Sequence, residues 1–119
     1  MPKLIHYNNE MLKISNDSKK IEYSTNNGSS WSIRYSLPSS WGTPLDLLVF
    51  NGEILLLTDT KLLYSKNKGA SWNIRYTFPG YFGIPQELSN NGNELLLTTD
   101  KKLLYSKNNG RSWNIRKTF

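Results

Sequence analysis

The chain has no cysteine and a single histidine, His6. Without thiols, neither a disulfide framework nor a thiolate metal site can form. A lone histidine with no recognisable partner is a poor basis for acid–base catalysis. Long apolar runs are also missing, and nothing approaches the roughly 18 residues that carry a helix across a bilayer. Asn8, Asn9 and Glu10 interrupt Met1-Pro2-Lys3-Leu4-Ile5-His6-Tyr7 at once, so no signal-peptide core is seen and no membrane partner is expected. A cytoplasmic or virion-associated location fits these absences. Helical periodicity is missing from every segment. What is present, 119 residues with 37% hydrophobic and 20% charged side chains, suffices for one folded domain over 1–119 with a modest core.

The charge is one-sided, at +6. That balance favours acidic partners such as nucleic acid, anionic glycans or acidic protein surfaces. A plainer reading ranks ahead of it: lysines keep β proteins soluble and their sheet edges unpaired.

Aligning the tryptophans exposes the organisation. Trp31, Trp72 and Trp113 stand 41 residues apart, and between Lys61–Phe78 and Lys102–Phe119 only three of 18 positions differ: Lys68/Asn109, Ala70/Arg111 and Tyr76/Lys117. The chain is a tandem duplication, with repeats at approximately 1–37, 45–78 and 87–119 and linkers at 38–44 and 79–86. A period near 40 points to propeller blades or another repetitive β architecture.

Each unit reads as four short strands. In the second copy these are Asp46–Phe50, Glu53–Leu57, Lys61–Ser65 and Ser71–Phe78, with Asn51-Gly52 as the first turn. The unbroken Ile54-Leu55-Leu56-Leu57 suits a strand buried on both faces. In the last strand, alternation places Trp72, Ile74, Tyr76 and Phe78 on one face and Asn73, Arg75 and Thr77 on the other. The first copy, with Met11-Leu12-Lys13-Ile14-Ser15 as its second strand, is more polar, as suits a blade at an interface or an end.

Before each tryptophan stands one hairpin motif: Ser24, Asn26 and Gly28 before Trp31; Ser65, Asn67 and Gly69 before Trp72; Ser106, Asn108 and Gly110 before Trp113. Glycine supplies the positive φ of a tight turn, the Asn carbonyl can accept backbone N–H bonds, and the Ser hydroxyls can tie down neighbouring backbone. The tryptophan buries a large surface behind the turn. Ser-x-Asn-x-Gly-x-Ser-Trp resembles the Asp-box of bacterial neuraminidase-type (BNR) repeats, Ser-x-Asp-x-Gly-x-Thr-Trp, with Asn26, Asn67 and Asn108 in the place of the Asp. The resemblance implies a β-propeller in which the box joins the third and fourth strands of each blade, at the periphery and away from ligand sites. These motif residues are therefore read as structural.

Propellers typically close with four to eight blades, and this chain supplies three. The expectation is an all-β fold of three four-stranded antiparallel blades, completed to six by a homodimer, with a nine-bladed homotrimer as second choice. A β-trefoil, which also uses three four-stranded units, is the alternative fold.

No enzyme is expected. Sialidases, the best-known Asp-box enzymes, use an arginine triad in a longer chain, whereas Arg34, Arg75 and Arg116 here recur on the polar face of the outermost strand. Glu53/Glu94 and Asp59/Asp100 recur in phase, and turn aspartates ordinarily serve Asx geometry. No spacing fits zinc, neutral Asn loops are poor calcium sites, and isolated glycines suggest no phosphate loop, so no cofactor or metal is expected. The linkers share Pro-x-x-aromatic-Gly-x-Pro and present Trp41, Tyr81 and Phe82, which can stack on a sugar or base, receive a partner's side chain, or plug gaps between blades. Lys66, Lys68, Lys107 and Arg111 form a candidate basic surface on the hairpin loops. Lys19, Lys20, Lys61, Lys101 and Lys102 cluster at the turn into the third strand. The sequence thus reads as a non-enzymatic, self-associating propeller that binds a glycan or protein. The alternatives are a basic nucleic-acid- or host-factor-binding protein of viral or mobile-element type, or a purely structural assembly subunit.

Overall fold

A computed structural model describes residues 4–119; residues 1–3 of the first repeat lie outside the described residues. Each repeat folds into its own four-stranded antiparallel sheet with strands in chain order. The first blade holds β1 (Leu4–Tyr7), β2 (Glu10–Ile14), β3 (Lys20–Ser24) and β4 (Ser32–Ser36). The second holds β5 (Pro44–Phe50), β6 (Glu53–Thr58), β7 (Lys61–Ser65) and β8 (Asn73–Thr77). In the third are β9 (Pro85–Asn90), β10 (Leu95–Thr99), β11 (Lys102–Ser106) and β12 (Asn114–Thr118). These are blades of a β-propeller. Because every sheet is complete within one repeat, the β-trefoil alternative is set aside.

Local chemistry sets the hairpins. Asn51 and Gly52 take φ of 51° and 77° between the paired residues Phe50 and Glu53, the two left-handed residues that a two-residue hairpin of this twist demands. Each linker makes a single 3-10 turn, Ser39–Trp41 and Gly80–Phe82, after a proline.

The core lies between blades, with the back of one packed on the front of the next. Leu12, Ile14 and Ile21 of the first blade meet Leu47, Ile54, Leu56, Leu63 and Trp72 of the second. The back of the second, with Phe50, Leu55, Leu57, Leu62 and Phe78, meets Leu88, Leu95, Leu97, Leu104 and Trp113 of the third. All of β6 is buried, as its unbroken apolar run predicts, since the second blade packs between the other two. On the inner strands, buried Asp46 accepts the Leu47 N–H at 3.0 Å and, across the blade boundary, the Leu88 N–H at 2.9 Å.

The outermost strands differ from the simple alternation expected. Tyr64 pairs with Asn73 and Leu63 with Ile74, but Leu62 pairs with Tyr76, so Arg75 is an extra residue. Such a bulge flips every side chain beyond it to the other face. Trp72 and Ile74 therefore face the preceding blade, while Arg75, Tyr76 and Phe78 face the following one. The same slip occurs in β4 and β12.

Candidate functional site

The hairpin motif closes an internal hydrogen-bond network that is the same in all three copies. In the second, Ser65 Oγ accepts the Gly69 N–H at 2.8 Å and donates to Asn67 Oδ1 at 2.9 Å. Asn67 Oδ1 also accepts the Ser71 N–H at 3.0 Å, and its Nδ2 donates to Ser71 Oγ at 2.8 Å. Trp72 Nε1 donates to the Gly69 carbonyl at 2.9 Å. Ser24, Asn26, Gly28 and Trp31 repeat the network, as do Ser106, Asn108, Gly110 and Trp113. The residue before each glycine is left-handed too, with φ of 60°, 67° and 63° at Asn27, Lys68 and Asn109.

Beside the motif lies a clamp that the sequence reading did not assemble. Arg75 forms a bidentate pair with Glu53 at 2.6 and 2.9 Å, lies 3.9 Å over the Tyr64 ring, and donates to the Asn109 carbonyl of the next blade at 3.1 Å. Arg34 does the same with Glu10, Tyr23 and the Lys68 carbonyl. These arginines were expected on the polar face of the outermost strand; they keep the face that alternation gives them, but the bulge brings Tyr76 and Phe78 onto that face and the next blade covers it, leaving the Arg75 side chain 3% exposed. Their charge therefore goes into blade-to-blade contact. The guanidinium hydrogen bonds hold Glu10 and Glu53 below the ordinary carboxylate value of 4.5, and Arg116, aided by Asn91, draws Glu94 down to about 2. A signal was present in the sequence, since Glu53/Glu94 and the three arginines recur in phase. Glu10 was hidden because the β2–β3 turn is two residues longer than its counterparts, shifting it out of the 41-residue register.

The linkers lie at the opposite end of the strands from the boxes. Phe82 is 2% exposed, stacked on Tyr76 and tilted against Phe78, so its ring sits inside the blade–blade core. Its counterpart Trp41 is half-buried and stacked on Tyr35. Tyr81 is 67% exposed and edge-on to Phe82, and Ile84 on the same linker is 62% exposed. The following blade pins this segment: Asp100 Oδ1 accepts the Ile84 N–H at 2.6 Å, and Thr99 Oγ1 donates to the Phe82 carbonyl at 2.6 Å. Asp59 and Thr58 hold Thr43 and Trp41 in the same way. The turn aspartates thus fasten linkers rather than their own turns. Two clefts open at this end, one of about 640 Å³ between Asp17, Lys20, Leu37 and Pro44, the other of about 290 Å³ between Asp59, Pro79, Ile84, Asp100 and Lys101.

The candidate basic residues stay at the box end. Lys66 and Lys107 hang 5.8 and 6.0 Å over Tyr64 and Tyr105, and Lys66 lies 3.9 Å from Glu53. Lys68 is exposed with its carbonyl taken by Arg34, and Arg111 donates to the Asn108 carbonyl at 3.2 Å. Lys19, Lys20 and Lys101 instead border the linker clefts. Among the described residues, no group of three or more His, Cys, Asp or Glu side chains is placed to hold a metal ion, and no helix is long and apolar enough to cross a membrane.

Solved β-propellers share this arrangement of blades. YCF48 bound to D1 peptide superposes with a TM-score of 0.72 at 17% identity, over 96% of this chain and 38% of that one. The N-terminal domain of Nup159 gives 0.71 at 12%, over 99% and 34%. The GH74 enzyme of Niastella koreensis gives 0.59 at 27%, over 89% and 16%. The chain thus spans well under half the length of each. No protein-family profile matches it, and no curated protein does.

Proposed function

We propose that this chain is a non-enzymatic protein- or peptide-binding module, that its ligand docks at the linker end of the blades, and that two copies close a six-bladed ring. The observation that carries the binding reading is Tyr81. It is 67% exposed on a segment fixed by Asp100 and Thr99, the same segment whose Ile84 lines a cleft edged with Asp59, Asp100 and Lys101. An immobilised aromatic–aliphatic pair beside mixed charge suits an apolar side chain flanked by amides. YCF48, a propeller of the same blade arrangement, has been solved with a peptide bound. The non-enzymatic reading is supported by the carboxylates: Glu10, Glu53 and Glu94 are neutralised by arginines, and Asp59 and Asp100 are committed to linker N–H groups.

A glycan stacked on Tyr81 is the second reading, because an exposed ring suits a sugar face equally. Nucleic acid is less well supported, since Lys66 lies beside Glu53. A cytoplasmic or virion-associated setting belongs to the same proposal. The test is selection of a displayed peptide library on the wild-type protein and on Tyr81→Ala, alongside a glycan array. Peptides enriched by the wild type and lost by the variant support the reading. Glycan binding with no peptide enrichment overturns it in favour of a lectin.

A further inference from the structure

We infer that Arg116 is a latch for a second copy of this chain, its guanidinium donating to the Asn27 backbone carbonyl of that copy as Arg34 donates to the Lys68 carbonyl and Arg75 to the Asn109 carbonyl. This deepens, and rests on, the reading that copies associate head to tail.

The argument is continuity with an interface the fold builds twice. Both internal boundaries have the same parts. An arginine, clamped by a glutamate and a tyrosine, donates to the carbonyl of the left-handed residue in the next hairpin motif, at 2.9 Å from Arg34 and 3.1 Å from Arg75. Below it, leucines of one back face pack under the glycine of the next box: Gly69 lies against Leu12, and Gly110 against Leu62.

Each end of the described structure carries one half of this boundary. Arg116 is posed like its counterparts, with both Glu94 oxygens at 3.0 Å and Tyr105 4.0 Å beneath, but its side chain is 40% exposed against 14% and 3% for Arg34 and Arg75. Leu96 and Leu103 on that face are half-buried, where Leu12, Ile21, Leu55 and Leu62 in the same positions are fully buried. At the other end, Asn27 has the same left-handed φ as Lys68 and Asn109. Among the described residues, the atoms nearest the open side of Gly28 are those of Met11 and Trp31 of its own blade. Leu4 is 47% exposed where Leu47 and Leu88 are fully buried, and Trp31 is half-buried where Trp72 and Trp113 are buried. The two faces also carry charged groups at core positions: on the first blade Lys13 stands where the others have Leu56 and Leu97 and pairs with Glu22 at 3.6 Å. Glu22 stands where the other blades have Leu63 and Leu104, and Lys117 where they have Tyr35 and Tyr76. A second copy joined head to tail would bring these two halves together as the internal boundaries do.

The test is the solution mass of the 119-residue chain over a concentration series, for wild type, Arg116→Ala and Arg116→Lys, with thermal melts as a folding control. The expected result is a wild type at twice the 13.7 kDa chain mass. Arg116→Ala weakens the association about tenfold or more, and Arg116→Lys recovers only part of it, because a lysine cannot hold Glu94 and the carbonyl together. A wild type that stays monomeric at the highest concentration removes the self-association reading and the latch together. A wild-type dimer matched in affinity by a folded Arg116→Ala overturns the latch alone.

Discussion

The three glycines of the hairpin motif do not have equal freedom, and their differences are measurable. All three have φ between 85° and 88°, so any side chain there costs about 1 kcal/mol in backbone strain. A Cβ at Gly28 would meet nothing closer than 3.7 Å, whereas at Gly110 it would run into Leu62 of the preceding blade. Gly110→Ala is therefore expected to lower stability by about 2 kcal/mol more than Gly28→Ala in denaturant titrations; equal losses would contradict this packing. Lys68 offers the reverse case. It occupies a left-handed position, φ 67°, that Asn fills in the other two motifs, and Asn tolerates that region better. Lys68→Asn is expected to stabilise by about 0.5 kcal/mol, since the Arg34 contact uses only the Lys68 main-chain carbonyl.

In the outermost strands, one extra residue decides which face a side chain serves. The bulge at Arg75 moves Tyr76 and Phe78 onto the arginine's face, so a charged side chain shares the boundary between blades with two aromatics, while Ile74 on the other face is 49% exposed. Removing that charge leaves Glu53, 10% exposed, without its bidentate partner. Arg75→Ala is thus expected to cost about 3 kcal/mol, and Arg116→Ala in the monomer much less, because the Glu94 pair is open to water on one side. Comparing the two by chemical denaturation at low protein concentration checks this. A common cost for both variants would mean that the blade boundary contributes nothing to the clamp.

For the whole molecule, acid and salt are the informative variables. Glu10, Glu53 and Glu94 titrate below their ordinary 4.5 in the folded chain, Glu94 at about 2. A carboxylate with a depressed folded pKa contributes stability that is fully present above its unfolded pKa and lost as pH falls through the folded one. Unfolding free energy is therefore expected to be insensitive to these groups from pH 7 to about 5, then to drop between roughly pH 4.5 and 2. A flat profile across that lower window would show that the clamps do not hold the fold. Association should respond to salt, because the faces that copies would bring together place Lys117 on one side and the Lys13–Glu22 pair on the other, where the internal boundaries have apolar residues. Raising ionic strength from 0.05 to 0.5 M is expected to weaken the wild-type dimer by several-fold, measured by sedimentation. Dimerisation that strengthens with salt would point instead to a wholly apolar contact.

Much of the fold is legible in one sequence because its repeats repeat. The 41-residue spacing, the Asn51-Gly52 turn and the in-phase Ser, Asn, Gly and Trp positions are local features, and a hairpin's strand order follows from local chemistry. The unbroken Ile54–Leu57 run announces a strand covered on both sides, and β6 is one. What sequence alone could not decide depends on register and on neighbouring blades. Strict alternation put Arg75 on the polar face, opposite Tyr76 and Phe78. A one-residue bulge, set by pairing with β7, moved Tyr76 and Phe78 onto its face, and the next blade covers that face, so Arg75 lies on Tyr64 and bonds across the boundary. The linker aromatics look alike in sequence, yet Phe82 is sealed in the core while Tyr81 stands exposed, because the 3-10 turn and its fastening to Thr99 and Asp100 aim successive rings in different directions. Hairpins are specified by the residues within them; which side chain meets a neighbour is specified only when the neighbour is in place.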